Sequence, residues 1–283
     1  MMRRLVTLCA ALLVSAAAAQ AESKRVIAIG SSLTEIVHAL GQQHRLVGRD
    51  RSSTWPPEAA DLPDVGYRRA LSPEGVLSVA PDLILALEGS GPPETIAVLQ
   101  EAGVDYVTIA DEFSRDGVID KIRAVGAALG AEAEAETLAA ETARRLDRAL
   151  AEASAAQGAP VKVLFLLSAR GGEFVVGGAE TQADTIIRMA GGKNAAADVT
   201  GFKTMTPEAM AATAPDVILM MERQGGPILS EEELFALPAV RLTPAGRNRA
   251  LIRMPGAYLL GFGPRTADAV MDLSAALRGV GGS

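Results

Sequence analysis

Two short segments of the chain combine a glycine, an aromatic residue and a basic residue. The first is Gly66-Tyr-Arg-Arg69 and the second is Gly201-Phe-Lys203. Aromatic rings stack on flat apolar molecules, and guanidinium groups form paired hydrogen bonds with carboxylates. Because aromatic residues make up only 4% of the sequence, their presence in both segments is informative. The pattern predicts a flat, largely apolar ligand that carries carboxylates, with Tyr67, Phe202 and Lys203 among its contacts.

The first aromatic residue, Tyr67, could also bind a metal. A phenolate is a hard, anionic oxygen ligand that suits ferric iron, and tyrosine is an axial ligand of haem iron in some proteins. A neighbouring guanidinium and the iron itself both favour the deprotonated phenol. The alternative is an ordinary turn tyrosine that packs over its glycine. Residue type and position alone leave both interpretations open.

An internal repeat places the two segments at corresponding points of the chain. Residues 71–85 align with residues 205–219, with seven of fifteen positions identical. In each copy a hydroxyl residue, Ser72 or Thr206, precedes Pro and Glu. The hydroxyl caps a helix, the proline suits its first position, and the glutamate interacts favourably with the positive end of the helix dipole. Capping alone does not explain two copies at matching points, so the repeat predicts two similar lobes with a ligand-binding cleft between them.

The rest of the sequence alternates between strand and helix patterns. The first predicted strand, residues 25–29, leads into a helix in which Ser32 and Glu35 have capping-box spacing. Residues 131–157 contain no glycine or proline and are rich in Ala, Glu, Leu and Arg, which is typical of one helix of about seven turns. Further strands are predicted at residues 83–87, 106–109, 161–167, 217–221 and 251–254.

These elements predict an α/β fold of two Rossmann-like lobes joined by a single long helix. We place an N-terminal lobe at residues 22–130, the connecting helix at 131–157 and a C-terminal lobe at 158–283. A flexible linker would instead be rich in Gly, Ser or Pro.

The first 21 residues have the form of a cleaved export signal. Arg3 and Arg4 precede an apolar run at residues 5–14, and Ala19-Gln-Ala21 fits the cleavage pattern. The apolar run is shorter than the roughly 18 residues of a membrane-spanning helix. We therefore expect a periplasmic mature protein that begins after Ala21 and lacks the only cysteine, Cys9. Loss of two arginines changes the formal charge from −7 to −9, which disfavours nucleic acid as a partner.

Motifs of several enzyme and metal-site classes are absent from the sequence. There is no G-x-S-x-G followed by a histidine, as a serine hydrolase requires, and residues 30–35 do not form a dinucleotide-binding G-x-G-x-x-G. The two histidines are too few for a histidine-rich zinc site. We therefore expect a binding protein that leaves its ligand chemically unchanged.

The run Val65–Gly75 resembles the haem-binding proteins of bacterial haem ABC importers. Those proteins belong to the class of periplasmic binding proteins with a helical strut, class III, which also contains siderophore and cobalamin binders. The resemblance extends to residues 26–35, 176–184 and 261–266. It implies the two-lobed fold, ferric haem b as the transported ligand, a monomer, and an inner-membrane permease–ATPase complex as partner. A siderophore or cobalamin binder on the same scaffold is the alternative.

The resemblance also implies roles for individual residues. Tyr67 matches the axial iron ligand, and Arg69 matches the arginine that holds its phenolate. Arg170 is expected to reach a haem propionate. Glu74 and Glu208 match the paired carboxylates that dock into arginine pockets of the permease, although helix-end electrostatics also explains them.

The chain departs from those relatives that take a second iron ligand, a histidine, from the second lobe. Its histidines, His38 and His44, both lie in the first lobe. His38 is expected on the solvated side of its helix. The resemblance therefore implies five-coordinate ferric haem with Tyr67 as the sole protein ligand.

Overall fold

The first half of the chain folds around a parallel sheet with strand order β2-β1-β5-β6. The computed structural model describes residues 24–155, 159–170, 172–222 and 229–281, so the predicted export signal lies outside the described residues. The elements up to the long helix are β1 (Val26–Ile29), α1 (Ser31–Ala39), β2 (Leu46–Arg49), β3 (Gly66–Tyr67), β4 (Ala70–Leu71), α2 (Pro73–Leu77), β5 (Leu83–Leu87), α3 (Pro93–Glu101), β6 (Asp105–Ile109) and α4 (Arg115–Leu129). Short 3-10 helices cover Gln43–Arg45 and Pro57–Asp61.

The second lobe has a mixed sheet with strand order β10-β8-β7-β11-β12, and β9 pairs with β7. Its elements are β7 (Lys162–Arg170), β8 (Glu173–Gly177), α6 (Gln182–Met189), β9 (Lys193–Asn194), β10 (Phe202–Met205), α7 (Pro207–Ala212), β11 (Val217–Glu222), α8 (Glu231–Ala236), α9 (Pro238–Arg241), α10 (Pro244–Asn248), β12 (Leu251–Pro255), α11 (Gly256–Leu260) and α12 (Thr266–Gly281). The predicted α/β class is confirmed, and each predicted strand is present to within three residues at its ends. The domain boundaries stay a prediction.

A single helix, α5 (Glu132–Ser154), joins the two lobes, as predicted. At 1.5 Å per residue its 23 residues span about 35 Å. Its buried residues recur every three or four positions and are mostly small: Ala135, Ala139, Thr142, Leu146, Ala149 and Ala153. Small side chains let α4 approach closely, since a Cβ on Gly126 would lie 2.2 Å from the Ala135 Cβ. One core cluster runs from the first sheet along α5 into the second lobe, so the lobes share a continuous interior.

The structure explains why the repeat extends past the helix caps. Ala80 and Ala214 both adopt φ 45°, a left-handed conformation that is uncommon for a residue with a Cβ. The aspartate two residues later then accepts a hydrogen bond from a backbone amide at the start of the first strand of its own lobe, or one residue before it. Asp82 accepts from the Arg25 amide at 2.8 Å, and Asp216 from the Lys162 amide at 2.9 Å. The Ala-Pro-Asp sequence thus attaches the repeat helix to the sheet in both lobes.

The predicted capping box at the start of α1 is wrong. Gly30 is the cap residue, with φ 129°, and Ser32 lies inside the first turn. A Cβ at position 30 would lie 2.5 Å from Leu87 Cδ1, so glycine is required where the chain leaves β1. The Glu35 carboxylate is bound by Arg265 of the second lobe instead of by the helix terminus.

No helix in the described ranges is both long enough and apolar enough to cross a membrane.

Candidate ligand-binding site

Tyr67 lies in a β-hairpin at the carboxyl edge of the first sheet. Strands β3 and β4 pair antiparallel with Tyr67 opposite Ala70, so that Arg68 and Arg69 form the two-residue turn. The Arg51 amide, just after β2, donates to the Gly66 carbonyl at 2.8 Å. Gly91, after β5, donates to the Arg68 carbonyl at 2.9 Å and accepts from the Leu71 amide at 3.0 Å. Loops at the carboxyl ends of two parallel strands therefore hold the hairpin where α/β folds usually bind ligands.

Tyr67 differs from the other two tyrosines of the chain in the availability of its hydroxyl. It is 43% exposed, and no described residue forms a hydrogen bond with its hydroxyl. The Tyr258 hydroxyl donates to Asp272 at 2.8 Å, and burial with this carboxylate raises the pKa of Tyr258. Tyr106 is half-buried in β6, and burial raises its pKa as well. Of the three, Tyr67 is the phenol that an incoming ligand can reach.

The two arginines of the turn have different environments. Arg69 is exposed and forms no ion pair within the described ranges. Arg68 is only 12% exposed, with its Nη1 3.5 Å from Asp111 Oδ2. Asp111 Oδ1 also accepts from Lys121 Nζ at 2.8 Å, and the Lys121 side chain is fully buried. Burial lowers the pKa of Lys121, although Asp111 opposes this shift.

The sequence pattern grouped Arg68 with the cations of the Gly66–Arg69 segment and gave no role to Asp111 or Lys121. One sequence feature could have found this cluster. Lys121 follows Val118 closely and precedes Ile122 and Val125, so it falls on the apolar face of α4. A lysine on such a face needs a buried partner.

The second-lobe segment belongs to a strand of the main sheet, whereas the first segment forms a separate hairpin. Phe202 begins β10 and pairs with Gly177 of the antiparallel strand β8. Its ring packs edge-on against Phe165 with the centroids 6.2 Å apart, and 37% of the residue remains exposed. Lys203 is exposed and has no ion pair with a described residue. Arg170 ends β7, and its side chain lies outside the part of the chain that the structure describes.

The repeat glutamates occupy equivalent positions in the two lobes. Ser72 accepts from the Gly75 amide at 3.1 Å, and Thr206 accepts from the Ala209 amide at 3.2 Å, which confirms both predicted helix caps. Glu74 and Glu208 each lie in the first turn after the cap, and both are exposed. Neither carboxylate binds a described side chain. Glu74 also directly follows the Tyr67 hairpin in the chain.

Neither histidine lies at the carboxyl edge of the sheet. His44 is in the 3-10 helix before β2. His38 is in the last turn of α1, and the prediction that it is solvated is wrong. It is half-buried, its Nε2 has no hydrogen-bond partner in the described chain, and burial lowers its pKa. The described residues also contain no group of three or more His, Cys, Asp or Glu that could hold a metal ion.

The two lobes meet at residues 261–265, which precede α12. The Phe262 carbonyl accepts from Lys121 Nζ at 3.2 Å, and its ring lies 5.5 Å from that of Phe113. Arg265 forms a bidentate ion pair with Glu35 of α1, whose side chain is 6% exposed. The same guanidinium lies 4.4 Å from the Trp55 ring and 5.1 Å from the Tyr258 ring. Trp55, which no sequence pattern indicated, is 43% exposed beside this junction.

Arg265→Ala is expected to lower the free energy of unfolding by about 3 kcal/mol at pH 7, because it leaves a buried carboxylate unpaired. Burial already raises the pKa of Glu35, and loss of Arg265 removes the groups that oppose this shift. A carboxyl with a raised pKa binds its proton more tightly in the folded state, so the loss should shrink as the pH falls from 7 to 5. Urea unfolding at both pH values measures this.

Arg145→Ala is the matched control, since its partner Asp268 is 34% exposed and Arg145 itself 42%. Its cost should stay below about 1 kcal/mol and change little with pH. If Arg265→Ala lowers the free energy of unfolding as little as Arg145→Ala does, then the Arg265–Glu35 pair does not stabilise the junction between the lobes.

Several solved structures of haem-binding proteins are similar to this chain, and two of them illustrate the match. The chain is 40% identical to the periplasmic haem-binding protein RhuT from Roseiflexus sp. RS-1, with a TM-score of 0.85 over 91% of this chain and 99% of that one. It is 39% identical to the periplasmic haem-binding protein BhuT in complex with two haems, with a TM-score of 0.84 over 91% of this chain and 98% of that one. The class III two-lobed architecture predicted for the chain is therefore confirmed.

Two curated relatives match at lower identity and over shorter lengths. The chain is 32% identical over 200 residues to YvrC of Bacillus subtilis, an uncharacterized ABC transporter substrate-binding lipoprotein, covering 70% of this chain and 63% of the relative. It is 32% identical over 105 residues to the vitamin B12-binding protein of Vibrio cholerae, covering 36% of this chain and 37% of the relative. The chain thus spans less than two thirds of the length of these relatives. A sequence model described as periplasmic binding protein matches residues 26–258. The chain belongs to the periplasmic binding protein family.

Proposed function

We propose that the chain captures ferric haem b between its lobes and delivers it, chemically unchanged, to an ABC importer. The observation that carries this proposal is the Tyr67 hydroxyl, which is exposed, unbound by any described residue, and held at the carboxyl edge of the first sheet. The similarity to two solved haem-binding proteins over most of both chains supports the same ligand.

The hairpin fits the coordination needs of haem. The porphyrin supplies four nitrogen ligands to the iron, so the protein needs to add only one or two axial ligands. A tyrosine phenolate is one such ligand, and a nearby cation favours its charged form. Arg69 is two residues from Tyr67, is exposed, and has no ion pair within the described chain, so its guanidinium is free to hold the phenolate.

The second lobe supplies the remaining contacts in this proposal. The exposed part of the Phe202 ring offers an apolar surface for the porphyrin. Lys203 is an exposed cation next to it and suits a propionate. Arg170, at the end of β7, is assigned to the other propionate.

A cobalamin binder on the same scaffold is the second candidate, because the chain matches the vitamin B12-binding protein of Vibrio cholerae. A match to another vitamin B12-binding protein covers 88% of this chain but is only 21% identical, whereas the two haem-binding structures are 40% and 39% identical over 91%. An accessible phenol beside a free guanidinium also suits an iron(III) centre better than it suits a corrin.

Titration of the purified, ligand-free protein with hemin tests the proposal directly. We expect saturable binding and the visible spectrum of tyrosinate-ligated ferric haem, with no comparable response to cyanocobalamin. Acid extraction after incubation should recover unmodified haem. A spectrum that stays that of free hemin, together with tight cyanocobalamin binding, would assign the protein to the second candidate.

The proposed setting is the periplasm, after removal of residues 1–21 from the exported chain. We propose that the protein acts as a monomer. Glu74 and Glu208 carry the proposed docking to the permease, because they present equivalent exposed carboxylates on the two lobes.

A further inference from the structure

We propose that Arg68 is a positioning residue for the ligand tyrosine. It ties the turn of the Tyr67 hairpin to Asp111 and, through Asp111 and Lys121, to the second lobe. This inference rests on the proposed function, since it gives Arg68 a part in haem binding. In this proposal the two adjacent residues of the turn have different roles. Arg69 contacts the ligand, and Arg68 holds the hairpin in place.

Burial and charge both hold Arg68 in this place. Arg68 and Asp111 are 12% and 11% exposed, and Lys121 is not exposed at all. Each cation contacts its own oxygen of the Asp111 carboxylate, Arg68 at 3.5 Å and Lys121 at 2.8 Å. Removing Asp111 would leave two poorly solvated cations without their partner, and removing either cation would leave the carboxylate with one partner instead of two, which is costly in a poorly solvated site. The three side chains therefore act as one unit.

The far end of this unit lies in the other lobe. Lys121 Nζ donates to the Phe262 carbonyl at 3.2 Å. Phe113, two residues after Asp111, packs its ring 5.5 Å from that of Phe262. A continuous path of contacts thus leads from the turn beside Tyr67, through the loop after β6, to residues 261–265.

The hairpin needs such a support because its strands have only two residues each. Short isolated hairpins are marginally stable in water. Backbone hydrogen bonds with Arg51 and Gly91 hold its two strands and the Arg68 carbonyl of the turn, and the Arg68 side chain adds a second attachment of the turn. Metal ligands are generally oriented by supporting groups of this kind, whose loss lowers metal affinity about 10–100-fold.

Arg68→Gln tests the inference, because it removes the cation and leaves the Asp111–Lys121 pair in place. We expect faster amide hydrogen exchange at residues 66–71 of the ligand-free variant. Its dissociation constant for hemin should rise about 10-fold, and its tyrosinate-to-iron absorption at saturating hemin should weaken. Arg68→Lys should restore part of each property. If Arg68→Gln does not fold, Arg68→Met carries the same test without introducing a polar group.

Arg123→Gln is the matched control. Arg123 lies two residues after Lys121 and pairs with Glu136 at 2.8 Å, but its side chain is 49% exposed and it forms no described bond with the hairpin. It should leave hydrogen exchange and hemin affinity unchanged. Arg68→Gln with wild-type exchange and affinity would overturn the inference, and so would lower affinity with wild-type exchange, which indicates direct contact with the ligand. If the wild-type protein fails to bind hemin through a tyrosinate, the proposed function fails, while hydrogen exchange in the ligand-free protein still decides whether Arg68 holds the hairpin.

Discussion

Tyr67→Phe is expected to weaken hemin binding by more than about 100-fold and to abolish the tyrosinate-to-iron absorption. Loss of a supporting group around a metal ligand costs about 10–100-fold in affinity, and loss of the ligand atom itself should exceed this. Phenylalanine keeps the ring and its stacking surface, so the change isolates the oxygen. Hemin titration followed by visible absorption measures both effects.

The same substitution should leave the fold intact. Tyr67 is 43% exposed and its hydroxyl binds no described residue, so the free energy of unfolding should change by about 0.5 kcal/mol or less. Tyr106→Phe and Tyr258→Phe are the controls, because they remove the other two phenols of the chain. Neither should alter the hemin spectrum. A Tyr67→Phe protein with wild-type spectrum and affinity would show that the iron ligand is another residue.

Much of the architecture follows from local sequence patterns. Fully buried strands such as β5 consist of consecutive apolar residues, and the 3.6-residue spacing of small residues along α5 defines one buried face. The repeat helices begin directly after the cap residues Ser72 and Thr206, because a hydroxyl cap followed by proline acts within a few residues. Local rules also explain the glycine at the first position of the hairpin, Gly66, whose φ is 113°.

The parts that could not be predicted depend on residues far apart in the chain. Glu35 had suitable spacing for a local cap, but its partner is Arg265, 230 residues later. Nothing in the order Arg68-Arg69 indicates that the first side chain is buried, because this depends on Asp111 and Lys121. Tertiary contacts of this kind override local propensity where an element meets its neighbours.

The Gly66–Arg69 and Gly201–Lys203 segments resemble each other more in sequence than in structure. Each segment begins with a glycine that has a positive φ, Gly66 in the first and Gly201 in the second. The first then forms a separate two-stranded hairpin, whereas the second pairs with β8 as the outer strand of the main sheet. The shared pattern of glycine, aromatic residue and basic residue therefore indicates similar side-chain chemistry in two segments whose backbone conformations differ.

Replacing both repeat glutamates, Glu74→Ala with Glu208→Ala, is expected to abolish haem delivery while leaving haem binding unchanged. Each carboxylate interacts favourably with the positive end of its own helix dipole. This interaction contributes only about 0.3–1 kcal/mol to the free energy of folding. Loss of one partner from a buried ion pair at an interface costs about 2–5 kcal/mol. The two glutamates lie in different lobes, so their effects should add, and the affinity for the permease should fall by roughly a thousandfold or more. Uptake of haem into vesicles that contain the cognate permease–ATPase complex measures this.

Glu94→Ala with Glu232→Ala is the control that separates docking from charge. These residues also lie in the first turns of helices, one per lobe, and are exposed, but neither belongs to the repeat. The double control removes the same two charges and the same helix-end interactions, so electrostatic attraction to the permease as a whole falls equally in both proteins. A transport defect confined to the Glu74 and Glu208 variant then requires contact at these two positions. Equal transport by the two double variants would instead leave helix-end electrostatics as the whole reason for the repeated glutamates.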